Sequence, residues 1–274
     1  LNYKKFNFPK AIRDKKDFHS KLGKYLQRDK NDIKYLELHK VKYLEMWQNL
    51  LNLLKNKLGE SEASLSIITP LWLMEFGANY PYNKKRSFNK NLNNFVGYKG
   101  SFGKKITIKD GEIKNLPVYV QTKNELPDWK KNFIKKNRLF LNKHRSVIKK
   151  WIKDTKINEL KASYQKFEWN CHGENLNLRK KLISFRPSGI RVKRANSAPT
   201  LVSMTTTQTP IIGNGSMKLA KSYRFITHKE ALKLQGFNRK DLKHVDKYRT
   251  YFLPAIGNAV NVKVVNIIAK QIKI

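Results

Sequence analysis

The sequence predicts a mixed α+β chain, and three observations carry that prediction. Leu44, Trp47, Leu51, Leu54 and Leu58 recur at steps of three and four, the spacing of one apolar helix face. Between Phe185 and Arg194 the period changes. Ile190 and Val192 alternate with Arg191 and Lys193, as side chains do on the two faces of a strand. Near the C-terminus Thr227 is followed three residues later by Glu230, a capping box that opens a further helix.

Taken in order, residues 1–32 are basic and weakly patterned, with Phe6, Phe8 and Pro9 reading as an extended lead-in. The helix through Leu44 to Leu58 follows and stops at Gly59. Glu60 to Ser66 reads as a polar linker. Ile67 to Tyr82 is dense in aromatics, interrupted by Pro70 and Gly77, and leads into Lys84-Lys85-Arg86. Either it stacks bases beside phosphate-binding cations, or it is buried loop core with a solvated basic rim. Gly97 to Gly103 (GYKGSFG) fits no phosphate-binding fingerprint. Ile106 to Ile113 reads as a hairpin turned at Asp110-Gly111. Pro127 to Ile152 reads as a helical region whose apolar residues are Trp129, Phe133, Val147, Ile148 and Trp151, with a wet lysine face able to lie along a DNA backbone.

Composition narrows the partners. Of 274 residues, 58 are Lys or Arg and 20 are acidic, giving a net charge of +38. A field of that sign favours a polyanion, most simply nucleic acid, and excludes an acidic role. Only 12 of the 58 are Arg, so part of the excess is an ordinary solvated lysine surface. The single cysteine, Cys171, excludes an intrachain disulfide framework and points to a reducing, cytoplasmic setting. No apolar run approaches the length of a membrane span. The first residue is Leu rather than Met, which points to a fragment, a processed product or a non-standard start.

Candidate chemistry lies in the second half. Cys171 adjoins His172, the arrangement of an activated thiol, but no second cysteine is present for a zinc site. Arg186, Arg191, Lys193 and Arg194 form the charged face of the 185–194 strand. Arg can pair bidentately with guanine, whereas Lys mainly meets phosphate. These four are candidate DNA contacts, the other reading being a plain hairpin with a charged outer face. After the capping box, Ala231, Leu232 and Leu234 supply apolar contact and Gly236 occupies a left-handed C-cap position. Gly257-Asn258 then precedes Val260, Val264, Ile267 and Ile268, one apolar face of a last helix that must be covered.

Arg224 to Phe237 (RFITHKEALKLQGF), followed by Ala255 to Val260 (AIGNAV), resembles the last two sequence motifs of the DNA cytosine-5 methyltransferases. Order, spacing and distance from the chain end all match. The resemblance implies a target-recognition domain over residues 1–222, the penultimate motif and a linker over 223–247, and the last motif over 248–274. It also implies a C-terminal helix that packs on a Rossmann-like catalytic domain absent from this sequence. Thr200-Leu201 is similar to the Thr-Leu pair late in the family's recognition region, so these two join the DNA-contact candidates. Asn258 and Ala259 would lie near S-adenosylmethionine, and the other substrate would be double-stranded DNA.

In the family a cysteine thiolate adds to C6 of a flipped cytosine, and that cysteine directly follows a proline. Here Asn170 precedes Cys171, and the glycine-rich Phe-x-Gly-x-Gly loop and the Glu-Asn-Val segment are also absent. The expectation is therefore a C-terminal half with no catalytic residue of its own, with Cys171 structural and a catalytic subunit or N-terminal half as partner. A non-catalytic DNA-binding or regulatory module is the second reading. An RNA-binding protein, suggested by charge alone, leaves the paired motifs without an account.

Overall fold

The structure, a computed structural model, describes residues 33–82, 92–122, 125–195, 209–237 and 255–270. They fall into two compact units. A central unit holds the described residues of 42–178 together with 185–192. A C-terminal unit holds 33–41, 179–184 and the described residues from 193 onward. Helices and strands occur in both, so the architecture is mixed α+β as the sequence predicts.

The central unit is built on helix α1 (Leu38–Leu58). Its inward face is Leu44, Trp47, Leu50, Leu51 and Leu54, all buried. The Trp47 ring stacks on Phe167 at 4.5 Å between centroids and lies 5.3 Å from Trp151. Its Nε1 donates to the Tyr164 carbonyl at 3.0 Å, so the large indole is buried without leaving a donor unpaired. Gly59, at φ +80°, ends α1 as expected. The expected polar linker is instead a second helix, α2 (Glu60–Ser66). Glu60 and Glu62 occupy its first turn, where the helix dipole favours carboxylates, and Ala63 and Ser64 are buried. Polar composition concealed a helix with a narrow inner face.

In the 67–82 segment the buried reading holds. Strand β1 (Leu71–Trp72) runs into a single 3-10 turn, Leu73–Glu75. Trp72 and Tyr80 join Phe95, Ile106, Leu116, Val120, Leu126 and Ile134 in one apolar cluster. The adjoining Lys84, Lys85 and Arg86 lie outside the described residues. The expected hairpin is present as β2 (Thr107–Lys109) and β3 (Glu112–Lys114). Asp110 and Gly111 both have positive φ, 54° and 75°, the signature of a type I′ turn. Gly100, before it, serves backbone contact, since a Cβ there would fall 2.0 Å from the Asn115 carbonyl oxygen.

The helical region expected over 127–152 is two helices, α3 (Asp128–Lys143) and α4 (Arg145–Thr155), joined through the single residue His144. Their inward residues are Ile134, Asn137, Phe140, Leu141, Ile148 and Trp151. Trp129, in the first turn of α3, is 56% exposed. Asn137 accepts from the Trp72 N–H at 2.5 Å and donates to the Pro70 carbonyl at 3.1 Å, tying α3 to β1.

Strand β4 (Lys166–Asn170) alternates buried Phe167 and Trp169 with half-buried Lys166 and Glu168. Residues 185–194 are not one strand but parts of a hairpin, β5 (Leu182–Arg186) and β6 (Gly189–Lys193), turning at Pro187-Ser188. In the central unit the strand order is β1, β4, β6. A Cβ on Gly189 would fall 2.8 Å from the Lys166 Cβ and 2.9 Å from its carbonyl oxygen, so β6 starts flush against β4.

In the C-terminal unit the order is β5, β7 (Ile211–Gly213), β8 (Tyr223–Phe225). Ile183 lies opposite Ile211, and Ile211 opposite Phe225. Helix α5 (His228–Leu234) packs its Ala231 and Leu232 with Leu182, Ile212, Ile226 and Ile256. Helix α6 (Val262–Ala269) starts later than the sequence suggests. Residues 255–258 form a separate helical turn, and Asn261 rather than Asn258 caps α6, accepting from Lys263 and Val264 N–H at 3.1 and 3.2 Å. Val260 consequently precedes the helix. Among the described residues, no helix is long and apolar enough to cross a membrane.

Candidate nucleic-acid interface and the C-terminal motifs

The β5–β6 hairpin separates its side chains by face, as its alternation requires. Ile183, Phe185, Ile190 and Val192 are buried, while Arg186, Arg191 and Lys193 are half-buried on the other side and Arg194 is exposed. Thr200 and Leu201 lie outside the described residues, so the two threads of the proposed interface are not both on view. The outward face is not purely basic. Glu168 of β4 accepts a hydrogen bond from Arg191 Nε at 2.5 Å, and Arg186 Nη1 lies 4.0 Å from the same carboxylate oxygen. Lys166, on the same strand, sits over the Tyr119 ring at 5.4 Å. Burial, and secondarily the charge of Lys130, hold its ammonium below the usual lysine range. Sequence reasoning missed Glu168, although the alternation Lys166-Phe-Glu-Trp-Asn170 carried the signal of a strand.

A second basic surface runs along α3 and α4. Lys135, Lys136, Lys143, Arg145, Lys149, Lys150 and Lys153 are exposed and form no ion pair among the described residues. Where acids are near, this unit does pair its lysines: Lys131 meets Glu125 at 2.8 Å and Asp128 at 3.2 Å. The unpaired cations extend over at most about 27 Å at 1.5 Å of rise per residue. A duplex carries one charge per about 1.7 Å of axis, so a ridge of this kind can follow its backbone.

Cys171 is fully buried at the end of β4, and its carbonyl accepts from Ser64 Oγ at 3.3 Å. Among the described residues no group of His, Cys, Asp and Glu could hold a metal ion.

The capping box of α5 is present in both halves. Thr227 Oγ1 accepts from the Glu230 N–H at 3.2 Å, and Glu230 accepts from the Thr227 N–H at 2.8 Å. The same Glu230 carboxylate takes Arg224 in a two-pronged pair, both distances 2.8 Å, with both residues buried. A separation of six residues across a strand end and a cap has no sequence signature, so this pair was not foreseen. At the other end, Gly236 (φ +86°) donates to the Lys233 carbonyl and Phe237 to that of Leu232. These are the two bonds of a Schellman closure, and Leu232 and Phe237 share the apolar cluster.

The second motif folds back onto that closure. Gln235 Nε2 donates to the Ile256 carbonyl at 3.0 Å, the Val262 N–H to the Gln235 carbonyl at 2.9 Å, and Asn261 Nδ2 to the Leu234 carbonyl at 3.0 Å. A Cβ on Gly236 would meet the Lys263 backbone nitrogen at 3.1 Å. Two stretches separated by a linker are thus one hydrogen-bonded junction. Asn258 is exposed and Ala259 half-buried on its rim. Beyond it, Val260, Val262, Val264 and Val265 are 38 to 69% exposed, and no residue of α6 is buried.

Comparison with known proteins agrees with this junction. The family model for C-5 cytosine-specific DNA methylases matches residues 73–274. The Type II methyltransferase M.AluI of Cellulosimicrobium cellulans is 30% identical over 152 residues, which are 53% of this chain and 26% of that protein. The chain thus spans about a quarter of the length of that relative. No solved structure matches. With more than half of its residues inside the family model, including the folded junction of its last two motifs, the chain belongs to the C-5 cytosine-specific DNA methylase family.

Proposed function

We propose that this chain is the DNA-recognising, C-terminal part of a site-specific DNA (cytosine-5) methyltransferase. The whole enzyme would transfer a methyl group from S-adenosylmethionine to C5 of cytosine in duplex DNA. The observation that carries the reading is the motif junction of Arg224 to Asn261, which lies inside the family match and leads into a helix whose valines have no cover. These 274 residues hold no Pro-Cys pair, and their one thiol is buried. The attacking cysteine therefore comes from polypeptide outside them, and the chain alone does not methylate. The valine row of α6 is the element that meets that catalytic part. Unpartnered apolar surface of this kind favours association.

S-adenosylmethionine, when bound, supplies the methyl group as an electrophile. Asn258, exposed at the end of a helical turn, and small Ala259 beside it can form one edge of its site. On this proposal the rest of the site belongs to the catalytic part. DNA is read from the central unit and the β5–β6 hairpin, with the α3–α4 lysines giving sequence-independent attraction.

The test is complementation. The chain is mixed or co-expressed with a family catalytic part that carries the Pro-Cys motif, and methyl transfer from labelled S-adenosylmethionine to duplex DNA is measured. Transfer only in the mixture, retained in Cys171→Ser, supports the proposal. Transfer by the chain alone overturns it. Salt-sensitive duplex binding without any complementation assigns the chain instead to a non-catalytic DNA-binding role.

A further inference from the structure

The guanidinium of Arg191 is held from one side only. Glu168 takes its Nε at 2.5 Å, and among the described residues Nη1 and Nη2 have no hydrogen-bond partner. Those two nitrogens form the forked edge that matches the paired acceptors of guanine in the major groove. The Glu168 side chain is 13% exposed, against 33% for Arg191 and 35% for Arg186, so the anchor sits below the groups it holds. One carboxylate between two arginines also leaves the trio with a net positive charge. An arginine on a bare strand would sample many rotamers, and a contact made through its Nη groups would have to order them first.

Resting on the DNA-recognition reading above, we infer that Glu168 is a positioning residue. It fixes Arg191 through Nε so that both Nη groups are presented, already oriented, to the edge of a guanine in duplex DNA. The inference assigns Arg191 to base readout rather than to the phosphate backbone. Arg186, 4.0 Å from the same oxygen, is held more loosely and takes a flanking place.

The two roles differ in sign when the anchor is removed. Glu168→Gln deletes a negative charge beside DNA, so binding to arbitrary duplex strengthens. If Glu168 orients a base-reading arginine, discrimination between sequences falls at the same time. The experiment enriches duplexes from a randomised pool, with the full chain alone and with the complementing catalytic part. Dissociation constants are then compared for the enriched duplex and for one carrying 7-deazaguanine, which lacks the N7 acceptor. The expected result is a preference for guanine over 7-deazaguanine of about tenfold in the unaltered chain, a magnitude usual for a good bidentate pair. That preference is lost in Arg191→Lys, which has no fork, and reduced in Glu168→Gln, with circular dichroism confirming that both fold.

A Glu168→Gln chain that binds every duplex more tightly yet keeps the full preference overturns the inference while leaving DNA recognition standing. So does a misfolded Glu168→Gln accompanied by a folded Arg191→Lys with undiminished preference. Failure to enrich any sequence under either condition overturns the DNA-recognition reading itself, and this inference with it.

Discussion

Replacing Glu230 by Gln separates the two duties of that side chain. Its carboxylate closes the capping box and also holds Arg224 with two bonds of 2.8 Å, both partners being buried. Gln keeps the size and one acceptor but turns an amide toward the guanidinium, so a buried charge loses its counter-charge. Breaking a buried pair in this way costs about 3 to 5 kcal/mol, and a weakened cap adds to it. A total of about 4 kcal/mol is expected. Thr227→Ala removes only the hydroxyl's single 3.2 Å bond and costs about 1 kcal/mol. All five tryptophans, 47, 72, 129, 151 and 169, belong to the central unit, so none reports on α5 from within its own unit. Amide exchange of Ala231 and Gln235, both bonded within α5, is the suitable readout. By the usual 1.4 kcal/mol per decade, protection falls about a thousandfold for Glu230→Gln and about fivefold for Thr227→Ala. The double change Arg224→Gln with Glu230→Gln is milder than Glu230→Gln alone, because no unpaired charge remains buried. Equal losses in the two single variants would refute the assignment, leaving Glu230 a cap and nothing more.

Two further perturbations address the central unit. Glu75 is buried and accepts from Tyr80 and Tyr119 hydroxyls and from Arg138 Nε, the last at 2.9 Å. Glu75→Gln is expected to destabilise the unit by about 3 kcal/mol, since the 16%-exposed Arg138 relieves part of the cost of its lost partner. Tryptophan emission during urea unfolding measures it, and an unchanged midpoint would contradict the account. His144 is buried with neither ring nitrogen hydrogen-bonded, and burial, helped by Lys57 and Lys143 against Glu62, keeps its pKa below the usual value. The unfolded chain then takes up a proton that the folded one refuses. Stability from this group is intact above about pH 6.5 and is lost as pH falls below that value, until the lower folded pKa is reached. His144→Leu removes that component, so its unfolding midpoint drops less between pH 7 and 5 than that of the unaltered chain. Identical drops would show that His144 plays no part.

Much of this architecture was legible because its signals are local. The α1 stripe, the Asp110-Gly111 turn, the α5 capping box and the Gly236 closure each depend on residues within one or two turns. They appear where the spacing puts them. What escaped was set by distance in space. Glu168 meets Arg191 across 23 positions, and Asn261 reaches Leu234 across 27. Nothing in either neighbourhood announces the partner. The late start of α6 has the same origin, since its capping Asn261 is also bonded to Leu234 of α5.

Under the proposed DNA-reading role, Gly189 bears on how such a chain could acquire a new target. Its missing side chain leaves no room for slippage, because any Cβ there would collide with the Lys166 backbone. The hairpin is therefore indexed to its neighbour at one point, two residues before Arg191. Side chains at 186 and 191 project from a track whose position does not depend on them. Exchanging them rewrites what the hairpin can grip while the framework stays still, whereas exchanging Gly189 shifts every outward position at once. Under the proposed DNA-reading role, retargeting by substitution has a cassette at 186 and 191, bounded on one side by a glycine that no side chain can replace without a shift.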